Sequence, residues 1–325
     1  MINRRVISLA LAAAVVSVAG AGRTNAQHYP SRPVTIVVPF AAGGNTDNIA
    51  RLVAQRFGEK LGQQFVVENR PGAAGALAAE FVARSPADGY TLFMSALTQI
   101  AIVPAVNKTR YDPIKDFAPI SVIGTNPFVL AVNKDLPVKT LPEFVAYVRA
   151  QPQKMPYATA GVGSQNHLSM ALFLKRAGIE MTHVGYKGNA PAMSDLVAGH
   201  VPVMLSNPSD AMPQAATGAI RLIAATGNRR SSQMPNVPTI SESGFPQFNV
   251  LTWNGLLAPA GTPREIIGLL AKQVADAVKD AKFAERLVSL GIDPLGNSPE
   301  DFTAMIAADT ALWAEAVTIA GVKGQ

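Results

Sequence analysis

Apolar positions along this 325-residue chain fall into two alternating patterns. Short, nearly continuous apolar runs at 34–38, 65–68 and 90–94 have the length of buried strands, and each leads into polar, glycine-bearing turns. After the first run the apolar residues recur every three or four positions. Ile49, Leu52, Val53, Phe57 and Leu61 form one helical face, which Gly62 closes. The unit repeats: 65–68 precedes an alanine-rich helix carrying Leu77, Phe81 and Val82, and 90–94 empties into the small, polar strand end Ser95, Ala96, Leu97, Thr98. Strands at 120–123 and 128–133 follow, separated by a break at 124–127. The capping-box pair Thr140 and Glu143 then opens a helix bearing Phe144, Val145 and Val148.

A second series has the same form. Strand 157–159 leads through Gly161 and Gly163 to a helix with Leu168, Ala171, Leu172 and Leu174, and Ser164 is placed to be its N-cap. Strand 181–184 feeds a glycine turn and a helix with Met193, Leu196 and Val197 that stops at Gly199. Strands are expected at 201–205, which ends in Ser206, Asn207, Pro208, Ser209 and Asp210, and at 220–226. The apolar segment 250–258 contains Trp253. Thr262, Pro263 and Glu265 are spaced as N-cap, N1 and N3 of a long helix. Gly291 ends the next helix, and Ser298 starts the last, whose stripe is Phe302, Met305, Ile306, Leu312, Trp313 and Val317. Helical spacing of that stripe marks core, not a cofactor contact.

Repeated strand–turn–helix units predict an α/β protein with mainly parallel sheets flanked by helices. The break near 124–127 and the segment 250–258 read as two crossings between domains. Domain 1 is then discontinuous, 27–125 with 251–325, and domain 2 is 126–250.

The first 26 residues stand apart. Arg4 and Arg5 precede an uncharged apolar run at 6–21, and small residues around Ala26 offer a cleavage point, the form of a secretory signal peptide. The run is short for a membrane span of roughly 20 residues. The adjacent arginines raise a twin-arginine route, but their surroundings match it weakly, and the general export route is expected. Cleavage there removes three arginines and no acid, so the net charge falls from +6 to +3. With so mild a charge and no basic run interleaved with aromatics, nucleic acid is not an expected partner. The absence of cysteine excludes disulfides, thiolate chemistry, Cys-bound metal and a lipid anchor on an N-terminal Cys. The expectation is a soluble, unanchored, monomeric periplasmic protein with no cofactor or metal.

Chemistry is concentrated at the turns. The loop 39–47, P-F-A-A-G-G-N-T-D, joins a strand to a helix without a cation, and Asn45, Thr46 and Asp47 can cap that helix. Unpaired N–H groups and the dipole at a helix start suit a carboxylate or phosphate. The spacing is neither G-x-G-x-x-G nor a P-loop, which argues against a nucleotide. The turn at 161–167 mirrors it, so two domains would present two half-sites across a cleft. The strand ends at Ser95 and Thr98, Asn189 and Ala190, and Asn207 and Asp210 should lie at the same edge. Asp47 is equally explained by the helix dipole, and Asp210 by a helix start or by a ligand amine. Lys187 is a strand-end charge or an alternative anchor. His167, three after Ser164, is expected on the outside of the first turn in a structural or capping role. A hydrolase using Ser164 is disfavoured because G-V-G-S is not a nucleophile elbow.

These motifs resemble one family. P-F-A-A-G-G-N-T-D at 39–47, E-N-R-P-G-A-A-G at 68–75, G-V-G-S with His167, Y-K-G-N-A-P at 186–191 and W-N-G-L-L-A-P-A-G-T-P from Trp253 occur in the order seen in Bug-type solute receptors of tripartite tricarboxylate transporters. The resemblance runs from Tyr29 to Trp313. It implies a two-domain "Venus flytrap" with the ligand in the interdomain cleft, no enzymatic activity, and a small carboxylate handed to membrane permease subunits. It also implies ligand roles for Phe40, Ala42, Asn45, Thr46 and Asp47, with Gly43 and Gly44 in the same loop, and for Ser164, Gln165 and Asn166, with Gly163 beside them. A sensory receptor using the same cleft is the alternative.

Overall fold

The computed structural model describes residues 29–186 and 188–322. The expected signal peptide at 1–26 and Lys187 lie outside the described residues. Strand β1 (Val34–Val38) is apolar because both its faces are covered: Val34, Ile36, Val37 and Val38 have no exposure at all. Helix α1 (Asn45–Leu61) packs Ile49, Ala50, Val53, Ala54 and Phe57 onto that sheet and ends at Gly62, whose left-handed N–H bonds Gly58 O at 3.1 Å. Phe57→Ala would cost about 3–5 kcal/mol. Strand β2 (Phe65–Asn69), helix α2 (Ala76–Ala83) and strand β3 (Thr91–Ala96) complete the expected units. The buried face of α2 is Ala78, Ala79 and Val82, while Leu77 and Phe81 reach solvent. After β3 a π-helical turn, Thr98–Ile102, leads into the short helix Val103–Val106.

Strand β4 (Phe117–Pro127) runs straight through the expected break at 124–127. The sheet ladder shifts register just before it, between Val122 and Gly124, and Gly124 keeps the strand continuous. A Cβ there would lie 2.3 Å from Ile292 Cγ2 and 2.7 Å from Asp293 O, so the glycine admits a short strand alongside. The chain then enters the second lobe through β5 (Val129–Asn133), α3 (Leu141–Ala150), β6 (Pro156–Thr159), α4 (Gln165–Ala177), β7 (Thr182–Gly185), α5 (Asn189–Ala198), β8 (Val203–Ser206), α6 (Pro208–Ala216) and β9 (Ile220–Ala225). It returns through β10 (Leu251–Pro259) and finishes with α7 (Arg264–Lys279), α8 (Ala281–Ser289), β11 (Asp293–Pro294) and α9 (Pro299–Ile319).

The first sheet has the order β11-β4-β10-β3-β1-β2 and the second β7-β6-β8-β5-β9. Both are mixed, not mainly parallel. Strands of consecutive βα units pair in parallel, β1 with β2 and β3, and β6 with β7 and β8. The strands that carry the chain between lobes, or directly follow a crossing, are antiparallel: β10 pairs so with β3 and β4, and β5 with β8 and β9. A crossing chain reaches the next sheet from the opposite end, which reverses its direction. One apolar cluster continues through both lobes, from Phe93 and Ile100 through Trp253 and Trp313 to Phe173 and Leu205. Helix α9 supplies Phe302, Ile306, Trp313 and Val317 to it, with Met305 and Leu312 at its margin. Its N-cap is Ser298, which accepts from Asp301 N at 3.0 Å. At α7 the expected cap is not made. The helix starts one residue later, and Thr262 Oγ1 bonds Pro259 O at 2.8 Å instead.

Candidate functional site

Helix α1 begins at Asn45, so Gly44 occupies the N-cap position and Asn45, Thr46 and Asp47 form the first turn instead of capping it. Asn48 N is the first amide of the helical ladder, bonding Gly44 O at 3.0 Å, which leaves the N–H groups of Asn45, Thr46 and Asp47 outside the ladder. Gly43 turns the loop with φ +85°, a conformation that residues with a Cβ rarely adopt, whereas Gly44 is extended.

Asp47 secures this loop from beneath. Only 1% exposed, its carboxylate accepts from Gly43 N at 2.8 Å, Asn69 Nδ2 at 2.9 Å, and Arg51 Nε and Nη2 at 2.9 and 3.0 Å. Burial alone would raise its pKa. The hydrogen bonds from Arg51, Gly43 and Asn69 outweigh that and hold the carboxyl below its usual range. Thr46 Oγ1 donates to Asn254 Oδ1 on β10 at 2.8 Å, which fixes both side chains.

On the second lobe, Ser164 stands at the N-cap of α4, yet its hydroxyl does not cap the helix. Its Oγ lies 2.6 Å from Gly161 O and 2.7 Å from Asn166 Oδ1. Asn166 Nδ2 reaches Asn189 Oδ1 at 3.3 Å, and Asn189 Nδ2 reaches Asp210 Oδ2 at 3.1 Å, so side-chain contacts link the starts of α4, α5 and α6. His167 is buried, not outside as expected. Its Nδ1 accepts Gly163 N–H at 3.1 Å, and its ring stacks on His183 with centroids 3.8 Å apart. Desolvation, and then the neighbouring His183, push its pKa down to about 4, so the ring is a neutral acceptor that shapes the glycine loop. It is not paired with Ser164, and no nucleophile–base contact exists there.

The two loops meet at one cavity of about 420 Å³. From the first lobe it is lined by Phe40, Asn45, Thr46, Asn48, Ala96 and Thr98, and from the second by Gln165, Asn207, Pro208 and Ser209. Asn126, Thr252 and Asn254 of the connecting strands and Leu290 and Gly291 after α8 close it. Six sequence-predicted residues thus come together: Phe40, Asn45, Thr46, Thr98, Gln165 and Asn207. The others do not line it. Asp47, Gly163, Ser164, Asn166, Asn189 and Asp210 build the loops behind it; Ala42, Gly43, Gly44 and Ala190 are exposed; and Ser95 is buried in β3, donating to Ala96 O at 2.9 Å. Asn126 and Asn254 were missed by sequence reasoning. Each is a polar interruption of an apolar strand run, a visible signal, but nothing in the sequence says which space they face.

No described residue lining the cavity is charged. What it offers is helix-start N–H groups, side-chain amides and hydroxyls. Such donors hold a carboxylate by hydrogen bonding without a counter-ion.

The description "Tripartite tricarboxylate transporter family receptor" matches residues 49–321 of this chain. Protein BugT of Bordetella pertussis is 34% identical over 97% of this chain and 98% of its own length. Among solved structures, R. palustris Rpa4515 with adipate is 38% identical, with a TM-score of 0.74 over 91% of this chain and 100% of its own. MatC (Rpa3494) from Rhodopseudomonas palustris with bound malate is 35% identical, with a TM-score of 0.69 over 89% of this chain and 100% of its own. A cleft with no charge on its described lining, set between two helix-flanked mixed sheets and carried on a sequence that the family model matches over nearly its whole described length, goes with membership of the TctC/Bug family of tripartite tricarboxylate transporter receptors, non-enzymatic solute receptors of the periplasmic binding protein type, to which the chain belongs.

Proposed function

We propose that this receptor takes a small carboxylated compound into the cleft between lobes 27–125 with 251–325 and 126–250, and delivers it to the membrane permease subunits of a tripartite transporter. It works as a monomer, exported to the periplasm with residues 1–26 removed. The observation that carries the reading is the convergence of two helix starts, α1 and α4, from different lobes on one cavity whose described lining holds no charge. Each start alone is half a site, and together they surround an anion with donors. The adipate and malate held by the two relatives are both small carboxylates, in keeping with this chemistry. Phe40, Asn45, Thr46, Thr98, Gln165 and Asn207 contact the ligand. Asp47, Ser164, Asn166, Asn189 and Asp210 hold the loops that do. A thermal-shift screen against mono-, di- and tricarboxylates, amino acids and aromatic acids tests it, since a ligand that binds only the folded state raises the melting temperature. At least one carboxylate should do so at micromolar concentration. A response confined to cations or neutral sugars would end the reading.

A further inference from the structure

Behind the strands that join the lobes lies a second cavity. Along β10, Leu251 and Trp253 project to the face opposite Thr252 and Asn254, and Thr125, the cross-strand partner of Trp253, projects with them. Thr252 and Asn254 line the cleft, whereas Thr125 and Leu251 line a groove of about 450 Å³ on the back of the same two strands. That volume falls within the range of small-molecule sites, roughly 300–1,000 Å³. The groove shares no lining residue with the cleft. Helix α9 forms one wall through Met305, Asp309 and Leu312, spaced as one helical face, and a second-lobe loop contributes Arg229.

Leu251, Leu295, Met305 and Leu312 make the walls apolar, and Leu295 keeps 36% of its surface exposed. Two opposite charges are set among them. Asp309 is mostly buried; its Oδ2 accepts from Trp253 Nε1 at 2.7 Å, and its Oδ1 has no hydrogen-bond partner among the described residues. Burial raises its pKa to about 6 against the pull of the indole bond, so the carboxyl is ionised at pH 8. The guanidinium of Arg229, on an exposed loop, makes no ion pair or hydrogen bond among the described residues. The two charges therefore share the groove without pairing. A plain apolar acid would pair with Arg229 but shut Asp309 away from water with no counter-charge, and an amine would strand Arg229 in the same way. A zwitterion brings an ammonium to Asp309 and a carboxylate to the guanidinium fork, which grips carboxylates bidentately. The walls then take an apolar side chain. We propose that this groove is a second ligand site, separate from the cleft, which binds a zwitterionic amino acid with an apolar side chain between Asp309 and Arg229.

Titration calorimetry at pH 8 with L-leucine, L-methionine and L-phenylalanine tests it, beside isocaproate and isoamylamine, which are leucine without its ammonium and without its carboxylate. At least one of the three amino acids should bind and shift the tryptophan emission, because the ammonium meets the carboxylate that holds the Trp253 indole. Isocaproate and isoamylamine should bind about ten-fold more weakly than leucine or worse, since each leaves one charge of the groove unpaired. Asp309→Asn, which keeps an acceptor for the indole, and Arg229→Gln should each weaken amino-acid binding by about ten-fold or more. Gly163→Val, which damages the cleft, should leave it within about three-fold, as the two sites share no lining residue. Amino-acid binding that survives both charge substitutions, or that is lost in Gly163→Val, belongs to the cleft and overturns the proposal. So does equal binding of leucine and either analogue, or no binding of any of the three amino acids. Should Asp309→Asn not fold, Arg229→Gln on its exposed loop and the two analogues still decide.

Discussion

The carboxylate of Asp47 lies 2.8 Å from the backbone N–H of Gly43, four residues earlier, so the first turn of α1 ties down the loop that leads into it. Asp47→Asn keeps the shape but cannot accept from Gly43, Asn69 and Arg51 together. Stability at pH 7 should fall by about 1–3 kcal/mol and ligand affinity several-fold. Because the folded pKa is depressed, the wild-type contribution is present above the ordinary value of 3.8 and is lost as pH falls through the folded one. Urea denaturation at pH 7 and pH 3 should therefore show the variant's deficit shrinking in acid.

The His167–His183 stack gives a second acid-sensitive element at higher pH. His167 drops from an ordinary 6.5 to about 4, so its stabilising contribution is full above 6.5 and is lost as pH falls toward 4. His167→Leu removes that titration along with the acceptor for Gly163 N–H. Urea denaturation from pH 7 to 4 should show a variant that is less stable at pH 7, by on the order of 1 kcal/mol, and loses stability less steeply in acid.

Asp309 carries the opposite sign. Burial raises its pKa to about 6, although the hydrogen bond from Trp253 Nε1 at 2.7 Å pulls the other way. A folded pKa above the unfolded one makes its contribution full below 3.8 and lost as pH rises through 6. Tryptophan emission should titrate with a midpoint near that value. Asp309→Asn keeps an acceptor for the indole and should abolish the transition while stabilising the protein at pH 8.

The loop backbones should matter more than their hydroxyls. Thr46→Ala frees Asn254, and Ser164→Ala removes the hydroxyl contacts to Gly161 O and Asn166 Oδ1, each expected to lower affinity several-fold, on the order of 1 kcal/mol. Gly163→Val must hold φ +75° with a β-branched side chain and should cost ten-fold or more. At Gly43, where a Cβ would meet nothing within 4 Å, strain alone acts, and Gly43→Val should fall between the two classes. Calorimetry on the four variants checks the order.

Closure around the ligand should appear as a smaller radius of gyration in X-ray scattering when the tightest-binding acid from the thermal screen is added, since the cavity walls come from both lobes. Trp253 is a poor reporter of this motion. It is fully buried against Phe302 and is held by Asp309, within the core that both lobes share.

What the sequence determined by itself was local and periodic. The helix of α1 and its Gly62 stop, the Thr140–Glu143 capping box, the stripe of α9 and the glycine turns at 43 and 163 follow from residue spacing and backbone sterics, which need no distant partner. The recurrence of strand, turn and helix also determined the α/β class, with helices flanking the sheets. Tertiary structure decided what depends on meeting. Strand direction in the mixed sheets follows from where the chain crosses, not from the composition of β4 or β10. Gly124 looked like a break and proved to be the place where β11 lies against β4, because only its missing side chain leaves that space. The hydroxyl of Thr46 went to Asn254, 208 residues away, and the carboxylate of Asp47 turned inward to its own loop, so neither role could be assigned from spacing. The cavity lining of Asn126, Thr252 and Asn254 exists only because β4 and β10, more than a hundred residues apart, pair so that Asn126 stands opposite Thr252. Cross-strand register is set by the packing of whole sheets and leaves no local trace in the chain.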